Sequence, residues 1–297
     1  MIKFFTDLDF KVQSAIIGGL FSTIIFLLGW LFKVFHDKYS LNFKLNKEFT
    51  FEQKKSIKQE IAKTKTPILN AGEELNYRLW NFIHNIGENW HSIPQDKWLE
   101  PKHYYLRTFV YRLLVFIYWS LEIEKSLTHF DSTVADEKDL NYIKYLKTFK
   151  NIFCDTMILR DLDYANNATT NHFYKNDLLT YANFIKDENG DVIDYDKFYI
   201  KLKDNYKDIE KVFVYINNIE NDVEDKSLNV LRCFHLLLIQ FLTIYGHDYQ
   251  KTDKKKTYKL IEEHYHNIKI KNNFNTFLER NKMEGEMKAI LRKLGNN

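Results

Sequence analysis

The chain has 297 residues, 45% of them hydrophobic or aromatic, with 24 Phe and 19 Tyr; that is ample for a packed core and excludes a disordered chain. Only nine Gly and three Pro occur, and neither type lies between Lys102 and Asn189. A β-sandwich could not be punctuated that way, whereas a stack of helices could. Net charge is +3, to which the first 40 residues contribute +1 (four Lys against three Asp), so the remainder is nearly balanced and carries no blanket polyanion signal.

Residues 1–11, with IKFFTDLDFK at 2–11, alternate Phe and Leu with charge and read as an amphipathic lead-in lying in a membrane interface. Residues 12–35 follow as a transmembrane helix. Val12 to Phe32 is uncharged for 21 residues, and at about 1.5 Å per residue this matches a hydrocarbon core of about 30 Å. Trp30 and Phe35 sit at the level of an interfacial aromatic belt, and Lys33 and Lys38 can snorkel. The apolar run is longer than that of a secretory signal and continues into LFKVFHDKY without a small-x-small cleavage site, so a retained anchor is expected. Lys33, Lys38, Lys44, Lys47, Lys54 and Lys55 outweigh Lys3 and Lys11, which favours an external N-terminus and a cytoplasmic C-terminal domain, as in the inner membrane of a bacterium. Free Cys154 and Cys233, in apolar surroundings without metal spacing, fit a reducing compartment.

The span carries small residues four apart. Ser14, Gly18 and Ser22 form one ridge, and Ala15, Gly19 and Thr23 form the next. Small residues at this spacing let helix backbones approach closely in lipid, which predicts a homo-oligomer. Two adjacent ridges make a wide face, suited to a ring whose hydroxyls line a lumen.

Residues 36–49 read as a connector, and residues 50–297 as an all-α, multi-helix cytosolic domain. Thr50 with Gln53 resembles a capping box that opens a helix to about Lys63, and Thr66-Pro67 starts another that ends at Gly87. Tyr104 to Leu127 is the most apolar segment of this domain. Arg107 and Arg112 leave only Leu113–Leu121 uncharged, too short to span a bilayer, so a buried central helix is expected. Asp139 to Leu159 is amphipathic, Asn166–Asn171 is a polar loop, and Asn189-Gly190 is the favoured pair for a type I′ β-hairpin. Gly190 is misplaced for a calcium loop starting at Asp187. Helices follow near 194–220, 226–246, 254–269 and 274–294.

No phosphate loop, nucleophile elbow or zinc-protease motif is present, and no cofactor is expected. His264 and His266 point to different faces of a helix and cannot chelate together, so no metal is expected either. His235 reads as a hydrogen-bonded core residue. Arg78 and His84 have the loose spacing of helical HEPN-type ribonucleases, in which Arg would hold a scissile phosphate and His move a proton. Seven Arg and ten His yield about one such match by chance. In the apolar helix, Tyr104, Thr108 and Arg112 share a ridge, and Arg107 and Tyr111 are four apart. A guanidinium there needs a partner. The partner is a carboxylate such as Glu73 or Glu74, or else Tyr104, Arg107, Tyr111 and Arg112 form a pocket in which Arg pairs with the phosphate of a nucleotide or oligonucleotide and Tyr stacks on a base.

The small anchor, the larger helical domain and YYLRTFVYRLLVFIYW at its centre resemble the membrane effectors of Hailong-type bacterial anti-phage defence systems. The resemblance is architectural. It implies one N-terminal span that oligomerises into a pore, gated by a soluble domain that senses a nucleotide-type signal. A membrane-tethered scaffold and an anchored ribonuclease are the alternatives from other classes.

Overall fold

A computed structural model describes residues 9–127, 132–164 and 170–295. Most of the lead-in at 1–11 and of the loop Asn166–Asn171 lies outside them. The fold is all-α, and no strand occurs among the described residues. The chain divides into two units, Met1–Lys55 and Ser56–Asn297.

The first unit is built from helix α1, whose full extent is Phe10–His84. It is long and apolar enough to cross a membrane, and its most apolar window has no buried residue. The expected connector at 36–49 and the cap at Thr50 are helical instead. The reason is local: between Gly29 and Pro67 the sequence has neither Gly nor Pro, so nothing stops the helix. Beyond the uncharged run, exposed apolar residues recur every four positions, as Phe35, Tyr39 and Phe43 and as Leu41, Leu45 and Phe49.

In the second unit, α1 also runs through the stop expected at Lys63 to Pro67, and Pro67 lies inside it. Proline removes one backbone donor and crowds the preceding turn. Packing overrides that cost. Ile57, Ile61, Ile68, Leu75, Leu79 and Phe82 are all buried at helical spacing, and the stripe continues on both sides of Pro67. The helix ends at His84, followed by a 3₁₀ turn, Ile86–Glu88, closed by Asn89 at φ 52°.

The remaining helices are α2 (Tyr104–Leu127), α3 (Glu137–Cys154), α4 (Lys175–Asn183), α5 (Tyr195–Asn205), α6 (Glu210–Asn217), α7 (Lys226–Tyr245), α8 (Lys254–His264), α9 (Ile268–Arg280) and α10 (Glu284–Gly295). The helix expected over Asp139–Leu159 stops at Cys154, where Asp155 accepts a bond from the Met157 N–H and opens a 3₁₀ turn. The one expected over 194–220 is split into α5 and α6 by a 3₁₀ turn, Tyr206–Ile209. The hairpin at Gly190 is reduced to one antiparallel bridge, Lys186–Val192. Gly190 has φ 88° but Asn189 does not share the positive φ that a type I′ turn requires, because the Asp187 carboxylate accepts from the N–H groups of Asn189 and Asp191.

α7 also has the length and composition of a membrane span, yet it is a core helix, buried at every residue from Ser227 to Ile239. Its Phe234 and Phe241 join an aromatic cluster with Phe116 of α2 and Phe149 of α3, at centroid separations of 4.8 to 5.8 Å. Each such pair adds about 0.5–1.5 kcal/mol beyond burial. Gly72 of α1 marks the closest approach of α1, α2 and α7: a Cβ there would lie 3.2 Å from Phe116, 3.3 Å from Leu242 and 3.4 Å from Leu238.

Gly72→Leu therefore overpacks the core, with an expected loss of about 1–3 kcal/mol or more and a Tm lowered by about 2–4 °C per kcal/mol. Gly72→Ala should cost clearly less. Thermal unfolding of both variants checks this; equal Tm values for Gly72→Leu and the parent would contradict the packing described.

Candidate functional site

Two helices end at the same place. His84 is the last residue of α1 and His264 the last of α8. Their rings meet edge to face at 5.1 Å. Glu263 lies beside them, and one ligand atom from each of His84, Glu263 and His264 falls within 4.8 Å of the others. Tyr265 fixes this end of α8, because its hydroxyl donates to the Arg232 carbonyl of α7 at 2.5 Å. Trp80, one turn before His84, stacks on it at 5.4 Å and meets His235 of α7 edge to face at 5.3 Å.

Each imidazole has a defined state. His84 Nδ1 is 2.9 Å from the Trp80 carbonyl, which can only accept, so Nδ1 carries the hydrogen. His264 Nε2 is buried without a partner. Burial, then the Arg232 and His84 charges, pull His264 down to about 4. His235 is fully buried and donates from Nε2 to the Asn76 side-chain oxygen at 2.9 Å, leaving Nδ1 without a partner. Burial first, then His84, pull His235 down to about 3. Both groups are neutral at pH 7, so the expected core role of His235 holds in detail.

Arg78 and His84 are not brought together. Arg78 donates to Thr108 Oγ1 at 2.8 Å and lies 4.2 Å over the Tyr105 ring, whereas His84 faces α8.

Arg107 is only 2% exposed, and among the described residues no carboxylate pairs with it. Its guanidinium donates to the Trp98 carbonyl at 2.9 Å, to Glu100 O, to Pro101 O at 3.1 Å and to the Tyr195 hydroxyl at 3.3 Å, and it lies 4.6 Å over Tyr199. These bonds use four of the five N–H groups of an arginine. Arg107 thus ties the loop before α2 to α5. The expectation of a carboxylate partner is met at Arg112 instead, 3.4 Å from Glu74.

Tyr104 and Tyr111 both contact Tyr195, at 5.3 and 5.7 Å, and Tyr111 donates to the Ile193 carbonyl at 2.8 Å. Tyr111 and Arg112 line a cleft of about 190 Å³ with Glu74 and Trp119. The four residues expected in one pocket are therefore divided between a structural clasp around Tyr195 and this small cleft. The clasp partners are distant in sequence, and no local spacing announces them. A wider cleft of about 700 Å³ is lined by Lys125, Lys150 and Lys186 against Glu122, Glu124 and Asp187, with Lys150 paired to Glu124 at 2.6 Å, so its charge is balanced.

In the first unit, Ser14, Ala15, Gly18, Gly19, Ser22 and Thr23 are all exposed. A Cβ at Gly18 or Gly19 would meet nothing within 4 Å. The Thr23 hydroxyl donates to the Gly19 carbonyl at 2.8 Å, so it is satisfied within its own helix. Cys154 and Cys233 are free thiols; burial pushes Cys154 up to about 12 and Cys233 in the same direction. No family model, curated protein or solved structure matches the chain.

Two outcomes follow from the buried cations and imidazoles. Arg107→Lys keeps the charge but loses the planar fork, with an expected destabilisation of about 2–4 kcal/mol in denaturant unfolding. Unchanged stability would overturn the clasp. His235 has a folded pKa depressed below its unfolded value, so the unfolded chain binds more protons between pH 6.5 and about 3. Its contribution to stability is complete above pH 6.5 and is lost as pH falls towards 3. Stability measured from pH 7 to 4 should fall less steeply in His235→Gln than in the parent; parallel curves would contradict this.

Proposed function

We propose that this chain is a single-span protein of the bacterial inner membrane, with its N-terminus outside and its helical domain in the cytoplasm. Copies assemble through the span into an effector pore of antiviral defence that responds to a nucleotide-type signal. The observation that carries this reading is the first unit. A helix of span length presents an uncharged, predominantly apolar surface, with two small-residue ridges open at Gly18 and Gly19, and exposed apolar residues continue every fourth position to Phe49. Lipid solvates the apolar span but does not reward close helix packing, so small residues four apart favour contact between helices. The apolar stripes past the uncharged run need cover where they leave the hydrocarbon, and further copies of the same helix supply it.

A membrane-tethered scaffold is the second reading. It is favoured by the commitment of Arg107 to carbonyls and by the wider cleft, where three Lys face three carboxylates and leave no net positive charge for a phosphate.

Gly18→Leu separates the two readings. Beyond the adjacent backbone of its own helix, no described atom lies within 4 Å of a Cβ at this position, so the substitution meets no steric obstacle within one copy and acts chiefly between copies. For the pore, insertion survives while oligomer size in detergent and ion flux in vesicles both fall. Ile24→Leu, off both ridges, is the control and should match the parent. If Gly18→Leu assembles and conducts like the parent, the pore built on these ridges is wrong; if even the parent never conducts with any nucleotide signal, the scaffold replaces it.

A further inference from the structure

We infer that His84, Glu263 and His264 form a binding site for one divalent transition-metal ion of the zinc class, which clips the end of α1 to the end of α8. The inference is independent of the pore reading. Two imidazoles and a carboxylate already converge, their ligand atoms lying within 4.8 Å of one another. A tetrahedral ion held at about 2.0–2.2 Å would bring those atoms to about 3.3–3.6 Å apart. His84 and Glu263 are exposed, so rotation of their side chains suffices to close the gap.

The hydrogen bonding selects the ligating nitrogens. His84 Nδ1–H is held by the Trp80 carbonyl at 2.9 Å, which leaves the Nε2 lone pair bare and fixes the ring plane. A backbone carbonyl on the far nitrogen is how metal-binding histidines are usually oriented. His264 Nε2 is buried with no hydrogen-bond partner. A buried polar atom left unpaired is costly and rare in native proteins, and a metal ion satisfies it.

The field favours a cation as well. Both histidines are C-terminal residues of their helices, where unsatisfied carbonyls make the negative end of the helix dipole. Arg232 opposes this through its effect on His264, and the Glu263 carboxylate offsets it. Lys259 lies 3.4 Å from Glu263, but that ion pair is surface-exposed and weak enough for a metal to displace. The donor set decides the ion. Calcium and magnesium take oxygen ligands, whereas two imidazoles with one carboxylate suit zinc, with a fourth position left to water. His266 is not part of the set: its Nε2 is 2.9 Å from the Glu263 carbonyl.

The test uses the full-length, tag-free chain in detergent, stripped with chelator and titrated with zinc chloride and with cobalt(II) chloride. One equivalent of zinc should bind per chain, and cobalt should give the intense visible absorption of tetrahedral coordination. His84→Ala and Glu263→Gln should each weaken zinc binding by at least about tenfold, since loss of even an outer-shell partner costs 10–100-fold. Both residues are exposed, so both variants should keep the parent's circular dichroism and stay informative if His264→Ala fails to fold. His266→Ala should bind like the parent. Absence of zinc binding by the parent, parental affinity in both His84→Ala and Glu263→Gln, or an equal loss in His266→Ala would overturn the site.

Discussion

The helical domain depends on one apolar stripe. Ile57, Ile61, Ile68, Leu75, Leu79 and Phe82 give α1 a buried face that does not lapse at Pro67, and Gly72 on the same helix lets α2 and α7 approach it. A proline inside a helix costs on the order of 3 kcal/mol. Burying each large aliphatic side chain returns about 1.5–3 kcal/mol, so a continuous stripe outweighs the lost backbone bond several times over. Because α1 holds its course to His84, Trp80 and Asn76 reach His235 of α7, and His84 reaches α8.

Much of this was legible in the sequence where the signal is local. The uncharged run at Val12–Phe32, the apolar helix over Tyr104–Leu127 and the scarcity of Gly and Pro follow from length and composition alone, and the all-α fold agrees with them. Thr66-Pro67 misled because a start signal says nothing of a stripe that continues on both sides of it. Asn189-Gly190 misled because the Asp187 side chain captures the backbone before a type I′ turn can form. The candidate site was illegible for a different reason. The sequence pattern sets His264 and His266 on one helix, but α8 ends at His264 and His266 lies beyond it, with its Nε2 at the Glu263 carbonyl; His84 lies far away in the chain and arrives only through the packing of α1 against α7. The clasp around Arg107 is hidden similarly, since most of its acceptors are backbone carbonyls, which every residue has.

Polar groups in this core mark where elements are joined. Arg107 joins the loop before α2 to α5, His235 joins α7 to α1 through Asn76, and Tyr265 joins α8 to α7. Each junction gives a buried polar group a hydrogen bond across two elements, so each also specifies which elements meet. The first unit obeys the opposite rule. Its uncharged run is exposed, its few hydroxyls can be satisfied within the helix as at Thr23, and in the proposed assembly specificity resides in residue size rather than in polarity.

The claim that this helix lies in a membrane and packs on copies of itself is tested most directly by single-cysteine crosslinking along residues 12–35 in native membranes. Cys154 and Cys233 are both replaced by Ser, so that the introduced cysteine is the one thiol in the chain. Close packing on the small-residue ridges predicts crosslinking that peaks for Ser14→Cys, Gly18→Cys and Ser22→Cys and for their neighbours Ala15, Gly19 and Thr23, and that falls on the face bearing Ile17, Phe21 and Leu28. Uniformly absent crosslinking, or a peak on the bulky face, would contradict it.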